Sequence, residues 1–310
     1  MNKEMNNIRV KMIRMEGDIA PFVEVDYVDK YAQEHSSLML VDSGSTANVV
    51  SCDMADSIGE LCKQEDEKAT ITSIANKVMK TENVKFSFAL GGELFQETFC
   101  VSSEPLPIHI KGWTVIGILG VGFLRKHRLV IDNSDFSLHT SMVNPENLSI
   151  SDCEFFFPME IGLNHYGLPV VDIIQGDKEM VALLDTGATN NLIAEKSVVN
   201  NKILCMRTNE KEIIKGLFGE VETEEAIVKF NLATLTETDV ESVSRHANFN
   251  LLPRYVFVPS EVYSDEKHKE LPPVEALLGA PFMVRQGWIL DFGAGIVYKR
   301  KDENDLKEAV

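Results

Sequence analysis

Two short segments of the chain set a carboxylate between an apolar run and a tight glycine turn: MLVDSGSTANVV at 39–50 and LLDTGATNNLI at 183–193. In each, an acid (Asp42, Asp185) precedes a hydroxyl residue (Ser43, Thr186) and then a glycine (Gly44, Gly187). An Asp at the end of an apolar strand, followed by a residue that turns without steric cost, is held at the mouth of a buried sheet. One such group does little chemistry. Two of them brought close together cannot both ionise, so they share a proton and can hold a water between them. The ionised acid then takes a proton from the water as it attacks an amide carbonyl, and the protonated acid stabilises the developing oxyanion.

That chemistry needs two copies, and the chain reads as one unit written twice. Asp42 to Val50 over Asp185 to Ile193 matches Asp, Gly, Thr and Asn at the same places, at an offset of 185 − 42 = 143. KFSF at 85–88 faces KFNL at 229–232 in nearly the same register. GILGVGFLRKHRLVIDNSD (117–135) lies over ALLGAPFMVRQGWILDFGA (276–294), each with Leu-Gly, a Phe three residues on (Phe123, Phe282) and an Asp twelve on (Asp132, Asp291). Self-similarity on this scale defines an architecture. Asp132 and Asp291 lack the hydroxyl and glycine that follow the other pair, and read as structural turn or cap residues.

Each unit is mostly β. FVEVDYV, VKFSFAL, AIVKFNL and RYVFV alternate or cluster β-branched and aromatic residues, with Gly91-Gly92 and Gly176-Asp177 as turns and QGDK as a hairpin tip. Short helices are expected within Ala47–Gly59, within Ala194–Lys202 and after each Leu-Gly pair. Asn144–Asn147 reads as a linker, 233–250 and 261–273 as polar additions to the second unit, and the residues after Lys299 as a solvated tail.

Composition narrows the function. A net charge of −18, from 48 acidic and 30 basic residues, repels polyanions, so nucleic acid and anionic membrane surfaces are not expected partners. No apolar run reaches membrane-spanning length and the first twenty residues carry no signal-peptide core, so a soluble, cytoplasmic protein is expected. Five widely spaced cysteines without CxxC argue against a disulfide framework or zinc site and read as small buried hydrophobes. The seven histidines are scattered singly, with His127, His165 and His246 read as surface residues, and Met12 and Met15 as packing or tail residues.

VDSGST and LLDTGAT, each followed at a distance by Ile-Leu-Gly or Leu-Leu-Gly and a Phe, resemble the aspartic peptidases, and DTGAT with a late Leu-Leu-Gly is more similar to the retropepsin-like branch than to secreted pepsins. The resemblance covers both halves. It implies a single-chain, pseudo-dimeric form like bacterial two-lobed relatives: mainly β, with two homologous acid-protease-like β-barrel lobes (1–148 and 149–310) related by pseudo-two-fold symmetry. It further implies an endopeptidase working as a monomer on peptide or protein substrates, without metal or organic cofactor. Asp42 and Asp185 are then the catalytic pair, Ser43 and Thr186 interlocking hydroxyls beneath them, and Gly44 and Gly187 the turns. A flap in each unit would cover an extended substrate, drawn from Ile74 and Ala75 in the first and Gly216, Leu217, Phe218 and Gly219 in the second, with Ile118 as a further pocket wall. As departures, neither flap segment carries the Tyr typical of pepsins, and ITSIANKVM has no glycine.

The two turns differ at Ser45 and Ala188. A Ser45 hydroxyl that reaches Asp42 favours its ionised form, which makes Asp42 the base and leaves the resting proton on Asp185. Two alternatives stay open: a catalytically silent peptide-binding protein of the same fold, and an actin-like or sugar-kinase-like ATPase, whose phosphate loops VDSGSTANVV also resembles. The ATPase fold requires long helices on mixed sheets.

Overall fold

Period-two alternation sets the faces of the sheets. In NVKFSFAL (Asn83–Leu90), Val84, Phe86, Phe88 and Leu90 are buried while Lys85 and Ser87 are exposed, as expected for a strand with one face on a core. The computed structural model describes residues 8–15, 18–61, 69–72, 78–106, 108, 110, 112–142, 153–161, 167–216, 219–235, 240–258 and 272–300. The expected linker at 144–147 and the tail beyond Arg300 lie outside them.

The first half runs β1 (Arg9–Lys11), β2 (Ile13–Met15), β3 (Asp18–Val28), β4 (Glu34–Asp42), β5 (Val49–Val50), α1 (Cys52–Ile58), β6 (Gly59–Leu61), β7 (Ala69–Thr72) and β8 (Val78–Thr81). It continues through β9 (Asn83–Leu90), β10 (Glu93–Val101), β11 (Val115–Gly120), α2 (Val121–Lys126), β12 (Leu129–Asp132) and β13 (Ser137–Thr140). The second half runs β14 (Cys153–Pro158), β15 (Glu160–Ile161), β16 (Pro169–Gln175), β17 (Lys178–Asp185), β18 (Leu192–Ala194), α3 (Glu195–Asn200) and β19 (Cys205–Gly216). It ends with β20 (Gly219–Leu235), β21 (Val240–Leu252), β22 (Ala276–Gly279), α4 (Ala280–Gln286), β23 (Ile289–Asp291) and β24 (Ile296–Arg300).

The protein is mainly β. One eight-stranded sheet has the order β2-β3-β4-β11-β5-β10-β9-β6, a second β15-β16-β17-β22-β18-β21-β20-β19, and β7 pairs with β8 alone. In the first, β4 lies parallel to β11 with Asp42 opposite Gly120; in the second, β17 lies parallel to β22 with Asp185 opposite Gly279. A six-stranded sheet, β1-β13-β12-β23-β24-β14, draws strands from both halves. Its central antiparallel pair, β12 with β23, joins them directly.

The Leu-Gly-x-x-Phe repeats anchor the helices. Phe123 on α2 packs with Phe88 and Phe95 at ring separations of 5.9 and 5.4 Å, and Phe282 on α4 packs with Phe230 and Trp288 at 5.9 and 5.3 Å. All five phenylalanines and Trp288 are buried, each contributing roughly 1.5–3 kcal/mol from apolar area alone.

Several expectations hold locally. Gln175 pairs with Lys178 across Gly176, whose φ of 64° is readily adopted by glycine, so QGDK is a hairpin tip. Short helices form at the four expected places. RYVFV, however, is not a strand: Phe257 makes one isolated bridge to Val274, because apolar β-formers without a neighbouring edge to pair along do not build one. The polar addition at 233–250 lengthens a hairpin, β20 pairing with β21 over twelve residues where β9 pairs with β10 over eight. His127 is not a surface residue. Its ring packs 4.8 Å from Phe95 and 4.7 Å from Phe123, and its Nε2 meets Glu97 at 2.7 Å; His246 is exposed and His165 lies outside the described residues. Cys100 is buried, whereas Cys52 and Cys205 are partly exposed, and all three are free thiols. No helix among the described residues is long and apolar enough to cross a membrane.

Candidate active site

The strands β4 and β17 end on Asp42 and Asp185 because each is apolar up to the acid and turns directly after it. Asp42 is 8% exposed and Asp185 is partly buried. The two carboxyl groups face one another closely enough for each to act on the other's charge. Their turns are crossed beneath them. A Cβ placed on Gly44 would stand 2.4 Å from Cγ of Asp185, and one on Gly187 would stand 2.5 Å from Cγ of Asp42. Each glycine therefore makes room for the acid of the other half, a closeness that no other residue permits.

Below the acids the hydroxyls interlock. Ser43 Oγ donates to the Leu184 carbonyl at 2.7 Å and accepts the Thr186 N–H at 3.0 Å. Thr186 Oγ1 donates to the Val41 carbonyl at 2.7 Å and accepts the Ser43 N–H at 3.0 Å. Both side chains are buried, so these four bonds satisfy groups that would otherwise be costly orphans.

Backbone amides feed the carboxylates. Gly44 N–H donates to Asp42 at 2.8 Å; Gly187 and Ala188 N–H donate to Asp185 at 2.9 and 3.1 Å. Burial raises both acids above their ordinary value, and the negative charge of Asp42 raises Asp185 further. The pair therefore releases its protons less readily than free carboxylates do.

The Ser45 hydroxyl does not reach Asp42. It donates to the Ala47 carbonyl at 2.7 Å, closing its own turn, and Ser45 serves Asp42 through its backbone N–H. The side-chain difference from Ala188 therefore gives no ground for naming Asp42 the base. Ile118 is not a pocket wall either: it is fully buried with Ala20, Phe22 and Leu38.

Asn48 and Asn191 have roles that the repeat alone left undefined. Each side-chain oxygen accepts a backbone N–H from the Leu-Gly element, Gly120 at 3.0 Å and Gly279 at 2.9 Å. Those glycines are required, since a Cβ on either would lie 2.5 or 2.6 Å from a backbone oxygen of the acid loop. The Leu-Gly strand is thus seated against the Asp turn twice, in the same way.

Each half also carries a hairpin downstream of its acid turn. β7 pairs with β8, and β19 with β20 as far as Gly216 opposite Gly219. Ile74, Ala75, Leu217 and Phe218 lie outside the described residues, so the two glycines frame the second tip. The glycine-free first segment still has paired strands on either side of it. A further network ties the second hairpin to the Asp185 loop: Asn190 Nδ2 donates to Glu212 at 3.2 Å and to Asn250 at 3.2 Å, and Asn250 Nδ2 donates to Glu212 at 3.0 Å. Sequence reasoning missed these residues, because nothing local marks partners 22 to 60 positions apart.

No family model matches this chain, and no curated protein matches it. What the arrangement can do follows from its own geometry. Two carboxyl groups facing one another at the ends of apolar strands, both less acidic than free carboxylates, are equipped to polarise a water. Asp132 and Asp291 belong elsewhere. Asp132 caps the β12–β13 turn through Ser134 N–H at 2.9 Å, and Asp291 the β23–β24 turn through Gly293 and Ala294 N–H, both at 2.8 Å.

Proposed function

We propose that this protein is an aspartic endopeptidase of retropepsin-like architecture, cleaving peptide bonds with a water activated between Asp42 and Asp185. The observation that carries this reading is the facing carboxyl pair set on mutually interlocked Ser43 and Thr186. We take 1–148 and 149–310 as homologous lobes related by a pseudo-two-fold axis through that pair. Matching strand orders, reciprocal glycine and hydroxyl contacts, and a shared six-stranded sheet support this view.

In the resting pair one acid carries the proton, taken here as Asp185, whose carboxyl feels the negative charge of Asp42. A water between the acids loses a proton to Asp42 as its oxygen bonds to the carbonyl carbon, and Asp185 passes its proton to the carbonyl oxygen. The resulting gem-diol collapses when its hydroxyl returns a proton to Asp185 and Asp42 protonates the departing nitrogen. The C–N bond breaks and the starting protonation is restored. Substrate lies extended beneath the hairpins, held by backbone hydrogen bonds. Both acids come from one chain, so a monomer suffices.

Purified parent, Asp42→Asn and Asp185→Asn proteins incubated with a peptide library test this. The expected result is pepstatin-sensitive cleavage by the parent, with turnover in either variant at least about 1000-fold lower. Parental turnover in either variant ends the shared-proton mechanism, and binding without cleavage by the parent favours the silent peptide-binding reading. The ATPase reading has less support: the helices among the described residues are six or seven residues long.

A further inference from the structure

Strand alternation sorts the charges of the β19–β20 hairpin onto two faces. Lys211 bonds Glu222 at 2.6 Å, Lys215 lies 3.4 Å from Glu220, and Arg207 bonds Glu224 at 2.8 Å, so all three cations of β19 are ion-paired. Glu212 falls on the opposite face from Lys211. It shares that face with Ile214 and stands opposite Thr223, both buried. This is the underside of the hairpin, where Glu212 meets Asn190, five residues past Asp185.

Although it faces inward, Glu212 is exposed. Its Oε2 accepts from Asn190 and Asn250, and its Oε1 has no hydrogen-bond partner among the described residues. The two amides fix the carboxylate without neutralising it, leaving an oriented negative charge at the junction of hairpin and acid loop. Among the described residues the first half shows no such network at the matching places. Ala69 stands opposite Thr81 where Glu212 stands opposite Thr223, Cys100 pairs with Val49 where Asn250 pairs with Leu192, and Ala47 occupies the place of Asn190.

We propose that Glu212 is a specificity residue that receives a cationic side chain, Lys or Arg, of an extended peptide at the second-half end of the cleft. It rests on the peptidase reading of that cleft. The unused oxygen can accept a charge-assisted hydrogen bond from an ammonium or guanidinium, and the net charge of −18 draws basic peptides toward it. The asymmetry sets direction as well as preference. Among the described residues such a carboxylate stands at one end alone, so a peptide with a single basic residue is drawn to bind in one polarity.

The test scans one Lys, against Gln, through the positions flanking the cleaved bond of a library-derived peptide. On the parent, kcat/KM is expected to be about tenfold higher for Lys than Gln at one position, the size of one charge-assisted hydrogen bond. Glu212→Gln, which keeps the shape and an acceptor for the amides, should bring that ratio close to unity. Glu212→Lys should reverse it in favour of Glu-containing peptide. An unchanged Lys/Gln ratio in Glu212→Gln overturns the proposal. A second arm measures anisotropy of labelled Lys and Gln peptides on Asp185→Asn protein with and without Glu212→Gln. If the parent cleaves nothing yet Lys peptide binds more tightly and loses that advantage in Glu212→Gln, the peptidase reading fails and this inference stands. Equal affinities, or no binding of either peptide, overturn it.

Discussion

Ser43 and Thr186 hold one another: each hydroxyl accepts the other residue's backbone N–H at 3.0 Å and donates at 2.7 Å to a carbonyl of the opposite half. Residues 143 positions apart are thereby fixed directly beneath the two acids. Thr186→Val keeps the shape but leaves the Ser43 N–H and the Val41 carbonyl without partners in a buried place. Urea denaturation should show a loss of about 2–4 kcal/mol, with turnover falling alongside, whereas Thr186→Ser should stay within about 1 kcal/mol of the parent. Equal losses for Val and Ser would mean the hydroxyl carries no weight.

Glycine is needed at the turns for proximity. Gly187→Ala places a methyl 2.5 Å from Cγ of Asp42; because the contact is with a side-chain end, the carboxylate moves rather than the fold. Peptide turnover should drop about 100-fold or more, the usual consequence of displacing a reacting group by about 1 Å, with the melting temperature little changed. Gly122→Ala, where the nearest contact is 3.8 Å, should retain parental turnover.

The raised acids make a pH prediction with a definite sign. Burial chiefly holds Asp42 and Asp185 protonated more readily in the folded chain than in the unfolded one. Their contribution to stability is therefore fully present below the unfolded carboxylate pKa of about 3.9 and is lost as pH rises through the folded values. Asp185→Asn cannot ionise and escapes that loss. Its melting temperature should exceed that of the parent at about pH 7 and converge with it near about pH 4. Parallel melting curves across that range would show that the pair is not held in its protonated form by the fold.

Asp291 is fully buried and accepts from Gly293 and Ala294 N–H at 2.8 Å and from Ser141 Oγ at 2.7 Å. Ser141 stands 150 residues away, so this acid fastens the shared sheet across both halves. Asp291→Ala strands three donors and should cost about 3–5 kcal/mol in urea unfolding. Asp291→Asn retains the acceptor for the two amides and should cost about 1 kcal/mol. If Ala and Asn variants unfold at the same urea concentration, the cap is not a stability element.

The repeated DSGST and DTGAT segments made the strand ends, the glycine turns and the hydroxyl partners legible, since each depends on neighbours in sequence. The alternation of Val84, Phe86, Phe88 and Leu90 likewise stated which face is buried. RYVFV misled because strand formation depends on an edge to pair along, and the five residues themselves do not say whether one is near. Ser45 misled for a related reason: a hydroxyl near an acid in sequence has several carbonyls within reach, and here the Ala47 carbonyl takes it.

What the chain determined by itself was therefore local and periodic: two carboxylates at the ends of apolar strands, each poised on a turn. Tertiary structure decided everything that lies between the halves. It brought Gly44 against Asp185 and Gly187 against Asp42, paired β12 with β23, and set Glu212 beside Asn190. Such contacts depend on how strands far apart in sequence come into register, and no spacing along the chain records that.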